Sequence, residues 1–439
     1  MDLSKLKTIR IAAADLNGQM RGKRMPADLA DKLDDGAARM PISTLNVDIW
    51  GRDIEDSPLV FETGDADGVM KPSGRGAVPM PWLESPSALI PMVMEHEDGA
   101  PFLGDPRQVL SHVLARYKAR GWTVLAATEM EFNLVDDSGE TPAAPAHPHT
   151  GRQLDQQSVL SVAELDAFDA FFTDLYDGAE AMGIPAQSAI SEAGLGQFEI
   201  NLNHQDALRA ADDAWLFKTL VKGMARKHGL AATFMAKPYA DEAGNGMHIH
   251  FSVLDEAGNN IFDDGSETGS PLLAQAVAGC LAAMPASTLI FAPHGNSYER
   301  LVPGAHAPTG AAWGYENRTA AIRIPGGSPK ARRIEHRTAG GDINPYLMLS
   351  VVLGAAILGI EEEMVPPPPS SGNVYEIEGL PQLAAGWQEA IDLFESDPLM
   401  AKILPSMLIR NLVMTKRQER ACFADMPQEK HWLSWLEAV

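Results

Sequence analysis

Four segments of the chain alternate apolar and polar residues with a two-residue period, the pattern of a strand with one face against a core. "TVLAATEMEFNLV" (123–135) reads as a mostly buried strand, yet Glu129 and Glu131 lie two positions apart and so share a face. In "SEAGLGQFEINLNH", Glu199, Asn201 and Asn203 alternate with Phe198, Ile200 and Leu202, and Glu192 precedes them across a Gly-rich turn. In "NGMHIHFSVL", His248, His250 and Ser252 alternate with Met247, Ile249 and Phe251. In "RRIEHRTAG", Arg333, Glu335 and Arg337 share one side.

The remaining pattern sets these strands in an α+β chain. Residues 1 to about 105 read as short strands and turns ("TIRIAAADLNGQMRGK", "ISTLNVDIW", "GVMKPSG") ending in a Pro-rich passage. "DPRQVLSHVLARYKARG" (105–121) has helical spacing, with Asp105 as cap and Gly121 as stop, and marks the expected boundary between domains 1–104 and 105–439. Helices are expected over 162–183 and 206–229. The apolar run 346–360 is shorter than a bilayer span and reads as a buried helix. Residues 136–153, with His147 and His149, are loop by composition, and "PPPPSSG" (366–372) precedes a helical C-terminus.

Charge and cysteine content narrow the function. The 439 residues carry a formal charge of −24, which argues against nucleic-acid backbones and anionic membranes as partners. Cys280 and Cys422 are too few for a disulfide framework or a zinc site. The N-terminus has no apolar leader, so a soluble, cytoplasmic protein is expected.

Four amphipathic strands bearing Glu-x-Glu and His-x-His are not ordinary surface strands, which favour Lys, Thr and Ser. Converging carboxylates raise one another's pKa unless cations neutralise them. Five carboxylates and one imidazole form an oxygen-rich set suited to Mg²⁺ or Mn²⁺. Opposite them, Arg300, Arg318, Arg323, Lys330, Arg332, Arg333 and Arg337 crowd into one segment of an acidic chain. Arginine forks grip phosphate and carboxylate oxygens in pairs, so metals facing arginines describe a polyphosphate clamp for phosphoryl transfer. No Walker A motif occurs; "GQMRGKR" (18–24) lacks its spacing.

With these residues in place, the sequence resembles the glutamine synthetase family over nearly its whole length. The family's Glu-x-Glu, Glu-x-x-x-Gly-Gln-x-Glu, Lys-Pro with Gly-x-Gly-Met-His-x-His, Asn-Ser-Tyr-x-Arg-Leu-x-Pro-Gly, Asn-Arg and Arg-Arg-Ile-Glu-x-Arg follow in order from Glu129 to Arg337, with "NPYL" (344–347) after them. The resemblance implies a small β-grasp-like domain before a catalytic domain with a curved antiparallel sheet, and a homo-oligomer, a dodecamer of two stacked hexameric rings. It implies that ATP phosphorylates L-glutamate and that an amine attacks the γ-glutamyl phosphate. Carried over by position, Glu131, Glu192 and Glu199 would hold one metal, and Glu129, His248 and Glu335 another, two to three ions per site in all. Arg300 and Arg337 would grip glutamate, Arg318 the transferring phosphoryl group and Arg333 the ATP phosphates. His250 and Ser252 fall where the family contacts ATP, with Arg323 and Lys330 as further nucleotide contacts. Gly244 belongs to the glutamate-binding loop, although Ala243 stands where many members have Asn.

Two departures bear on the amine. Glutamine-forming members carry a Glu in the loop that here reads "PGAHAP", with His306 in its place. Asp48 is the nearest candidate for the Asp that helps bind ammonium, without the usual sequence around it. "EAGLGQFEINLNH" and "IFAPHGNSYERLVPGAHAP" look most like the γ-glutamylpolyamine (γ-glutamylputrescine) synthetase branch. Ligation of glutamate to an organic amine is therefore the first expectation. γ-Glutamylmethylamide or another monoamine ligase and true glutamine synthetase are the alternatives, and a catalytically inactive ring is the remote one.

Overall fold

The structure is a computed structural model that describes every residue except Pro303, Ala305 and His306. Two sheets organise the chain. The first comprises β1 (Thr8–Ala14), β2 (Met20–Pro26), β3 (Ala38–Pro41), β4 (Asp67–Pro72), β5 (Val78–Pro79) and β6 (Ala88–Glu95), in the order β2-β1-β6-β4-β3 with β5 also on β6. β1 and β6 run parallel; the other pairs are antiparallel. Alternation along β1 sets its two faces: Ile9, Ile11 and Ala13 enter a small core with Met70 and Phe102. Ala12 and Ala14 turn into the larger core of the rest of the chain. "ISTLNVDIW" contributes no strand, because Ile42–Asn46 is a 3-10 helix.

The second sheet comprises β7 (Thr123–Val135), β8 (Ala186–Ser191), β9 (Gln197–Asp206), β10 (Ala231–Thr233), β11 (Met247–Leu254), β12 (Trp313–Tyr315), β13 (Ile322–Ile324) and β14 (Ile334–His336). Its order is β12-β13-β14-β11-β7-β9-β8, with β10 on β7, and only β12 and β13 pair in parallel. All four segments read as strands from alternation are neighbours in it.

The helices follow their signals. Asp105 accepts from the backbone of Arg107 and Gln108 (2.8 and 3.4 Å) at the start of the Pro106–Lys118 helix. The apolar run becomes the Pro345–Glu361 helix, buried from Pro345 to Ile360 and capped by Asn344. Gly279 and Gly359 let it cross the Pro271–Ala283 helix closely, since a Cβ on either would fall 2.8 Å from the other's Cα. The region 162–183 is two helices, Val162–Ala167 and Asp169–Met182, because Phe168 leaves helical geometry (φ −102°, ψ 24°) to bury its ring against Phe198.

Buried ion pairs join the layers. Asp212 accepts both donors of the Arg107 fork (2.7 and 2.9 Å) and the Tyr346 hydroxyl (2.8 Å). Asn17, in the β1–β2 turn, sits between Lys416 and Glu419 of the Ser406–Ala424 helix. No helix among the described residues is long and apolar enough to cross a membrane.

Candidate active site

The polar face of the second sheet begins with β7. Val124, Ala126, Met130 and Phe132 are buried while Glu129 and Glu131 are half-buried on the opposite side. Cross-strand register then builds a row: His248 on β11 lies opposite Glu129, and Asn201 on β9 lies opposite it on the other flank. Glu131 lies opposite Glu199. A bulge makes this possible. Leu125 and Ala126 face Asp206 and Gln205, and that register continued would set Glu129 against apolar Leu202. The slip between Ala126 and Thr128 restores acid opposite polar residue.

Glu129 is held between two imidazoles, Oε2 at 2.9 Å from His248 Nδ1 and Oε1 at 2.8 Å from His250 Nε2. Arg333 Nε donates to His250 Nδ1 (3.1 Å), which fixes that ring from behind. Glu335 is fully buried; Arg323 donates to its Oε2 (2.8 Å) and Arg337 to its Oε1. Glu131 Oε2 accepts from the Gly246 backbone (2.7 Å), which locks β7 to the entry of β11.

The carboxyls divide into two electrostatic kinds. Burial pushes the Glu129 carboxyl up, but the His248 and His250 hydrogen bonds and charges more than reverse this and hold it below the usual range. Burial likewise acts on Glu335, where Arg337 and the two histidines win. Glu199 has only the charge of Arg337 in its favour. Burial, then the charges of Glu131, Glu129 and Glu192, push it up to about 9. Burial and the charge of Glu131 push Glu192 up to about 7. Crowded acids of this sort are what a divalent cation relieves.

The donor positions fit that need. Ligand atoms of Glu129, Glu199 and His248 lie within 4.8 Å of one another, as do those of Glu129, His250 and Glu335. Both groups differ from the expected ones, which set His248 with Glu129 and Glu335, and Glu199 with Glu131 and Glu192. His248 Nδ1 is 4.0 Å from Glu335 Oε1, and His250 is nearer to that pair of acids.

Glu129, His250, Ser252, Lys330 and Arg333 line one cleft of about 380 Å³, walled by Leu202 and Phe251. Arg300 is buried, with Nη1 donating to Thr338 O (2.9 Å). Gly244 abuts it: a Cβ there would lie 2.2 Å from Ala236 O and 3.1 Å from the Arg300 side chain, so only glycine fits. Arg318 is exposed in the turn between β12 and β13. Arg323 is bound to Glu335 and lines none of the cleft.

Asp48 departs from its expected use. It is fully buried, and its oxygens accept from the Trp50 and Arg52 backbones (3.0 and 2.9 Å), from Arg52 Nε (2.9 Å) and from Gln418 (3.0 Å). A carboxylate so engaged stabilises its own turn and has no free oxygen for an amine. His306 lies outside the described residues.

Gln197 carries a role that the sequence reading did not assign. Its amide nitrogen reaches Gly244 O (3.0 Å), Asn245 Oδ1 (3.0 Å) and Glu131 Oε2 (3.4 Å), and its oxygen accepts from Gly194 N (2.7 Å). It therefore ties the Gly-rich turn after Glu192 to the loop before His248. Its place two residues before Glu199 on the same face was the available signal.

Fold and site together define a glutamine synthetase-type catalytic unit, and the family described as "Glutamine synthetase, catalytic domain" matches residues 103–434. The chain belongs to the glutamine synthetase family. It is 40% identical over 384 residues to γ-glutamylputrescine synthetase of Escherichia coli K12, covering 85% of this chain and 80% of that protein. It is 32% identical to glutamine synthetase of Halobacterium salinarum, covering 94% and 90% of the two chains. A solved GmaS–ADP complex superposes with a TM-score of 0.85 at 28% identity, over 98% of this chain and 97% of the other. The family uses ATP and a divalent metal, with glutamate and an amine or ammonia as substrates.

Proposed function

We propose that the protein joins the γ-carboxylate of L-glutamate to an organic amine with cleavage of ATP, through γ-glutamyl phosphate. The observation that carries this reading is the continuous polar face on β7, β9, β11 and β14. There Glu129, Glu131, Glu199, His248 and Glu335 converge beside a cleft lined by Arg333 and Lys330.

In this account Glu131, Glu192 and Glu199 hold a divalent ion on the glutamate side, and Glu129, Glu335 and a histidine hold one on the ATP side. His248 is the family's choice for that histidine, and the donor distances also favour His250. Mg²⁺ or Mn²⁺, once bound, would neutralise phosphate oxygens and the charge that develops on transfer. Arg333 and Lys330 bind the ATP phosphates, with His250 and Ser252 along the same cleft wall. Arg300, fixed by Thr338 O beside Gly244, and Arg337 grip the glutamate carboxylate; Arg318, exposed in its turn, reaches the moving phosphoryl group.

The organic amine is favoured by two features. One is the 40% identity with a putrescine-using relative. The other is His306, an imidazole where glutamine-forming members carry an acid, which is a weak partner for a small cation but still accepts a proton. The reading extends to domains 1–104 and 105–439, a dodecamer of two stacked hexameric rings and a cytoplasmic setting. An ADP-release assay with glutamate and a panel of amines tests the function; no ADP with any amine, ammonium included, would refute it.

A further inference from the structure

Along the Ala207–Lys227 helix lies a second cleft of about 400 Å³, as large as the first and lined by other residues. Its floor is one helical stripe, Trp215, Lys218 and Lys222, at spacings of three and four that place all three side chains together. Trp82 forms the facing wall and lies flat on the helix at Gly223, where a Cβ would come within 2.4 Å of the indole. Trp215 Nε1 donates to Gly18 O (2.8 Å), which fastens the other wall to the β1–β2 turn.

The two ammonium groups are poorly matched. Lys218 is nearly buried; among the described residues it donates only to the Ile343 carbonyl (3.0 Å), with the Phe234 ring 5.1 Å away. Lys222 donates, among the described residues, only to the Glu437 carbonyl (2.9 Å). Among the described residues no carboxylate oxygen lies within 4.0 Å of either; Arg226 at the rim takes both Asp137 and the Glu437 side chain. Burial pushes Lys222 down to about 8 against the charge of Glu437; burial and the neighbouring Lys222 charge push Lys218 down to about 7 against the charge of Asp342. Two cations one turn apart repel, and the acids that act on them, Asp342 on Lys218 and Glu437 on Lys222, do so from beyond ion-pair contact.

We propose that this cleft binds a small organic dianion with a flat apolar body, its charged groups on Lys218 and Lys222 and its ring between Trp82 and Trp215. The site shares no lining residue with the first cleft and does not depend on which amine the enzyme uses. Calorimetry on the full-length protein with phthalate, a dianion on a flat ring, and with inorganic phosphate tests it. Saturable phthalate binding is expected, weakened about tenfold or more by Lys222→Met and by Lys218→Met, the scale of a lost charge-assisted contact. Trp82→Ala should weaken phthalate more than phosphate. ATP affinity in Lys222→Met should match wild type. Absence of saturable phthalate binding, or binding that Lys222→Met leaves unchanged, would overturn the proposal.

Discussion

Glu129 on β7 and His248 on β11 are directly opposed, with Oε2 and Nδ1 2.9 Å apart, and the other oxygen of the same carboxylate is 2.8 Å from His250. One acid thus joins both candidate metal groups. Its like-charged neighbour Glu131 is bound instead to Gly246 N, so the two carboxylates of Glu-x-Glu are held by different elements. They can share a face because each is committed to a separate partner.

Removing Glu131 tests the metal assignment. Glu131→Gln keeps an acceptor for Gly246 N and loses only the charge, whereas Glu131→Ala loses both. Both should lower ADP release by at least ~100-fold at saturating Mg²⁺, the scale of lost metal function. Near-normal turnover in Glu131→Gln would limit the residue to holding the β11 entry.

Arg318 tests the clamp. It is exposed in its turn. Arg318→Lys should cut kcat by ~10²–10³-fold, as for a lost transition-state donor, while ATP affinity stays within several-fold. A point charge does not replace a two-pronged fork. Equal losses in ATP affinity and kcat would make it a ground-state ATP contact.

Metal binding should release protons. Glu199 is pushed up to about 9 and Glu192 to about 7 by burial and by neighbouring acids, so the metal-free protein holds protons there at neutral pH. A cation needs those carboxylates ionised, so affinity for Mg²⁺ should rise with pH through 7 and level off above the higher value. Calorimetry in buffers of different ionisation enthalpy should show net proton release near pH 7. A pH-independent affinity with no proton release would contradict it.

Asp212 tests the packing beneath the site. Its carboxylate satisfies the Arg107 fork and the Tyr346 hydroxyl, all buried. Asp212→Ala leaves Arg107 unpaired and should cost about 3–5 kcal/mol, the scale of breaking a buried pair. Urea unfolding should show a clear fall in midpoint; an unchanged midpoint would mean that water replaces the carboxylate.

Much of this was legible from alternation alone. Glu129, Glu131, Glu199, His248 and Glu335 each sit on the non-core side of strands that prove adjacent. Asp105 caps the helix its position announces. What alternation lacks is pairing geometry. The one-residue slip at Ala126/Thr128 decides whether Glu129 meets Asn201 or Leu202, and no local pattern encodes it. Nor does sequence spacing say that Arg323 is spent on Glu335, or that Asp48 closes its own turn. Glu335 is 12 residues from Arg323, and Gln418, which completes the Asp48 hydrogen bonds, is 370 residues from it. The break at Phe168 belongs to the same class, since burial of one ring overrides local helical preference.

His306 bears on amine choice. His306→Glu restores an acid able to hold a small cation, so ammonium use should improve relative to the organic amine. A variant with an unchanged preference ratio would show that this position does not select the amine.

The most direct test of the account is coupled ADP release by the wild-type protein with Mg²⁺, ATP and L-glutamate, against putrescine, spermidine, ethanolamine, methylamine and ammonium. The account predicts turnover that requires both glutamate and an amine, with kcat/KM for at least one organic amine well above that for ammonium. A clear preference for ammonium, or ADP release that ignores the amine, would contradict it.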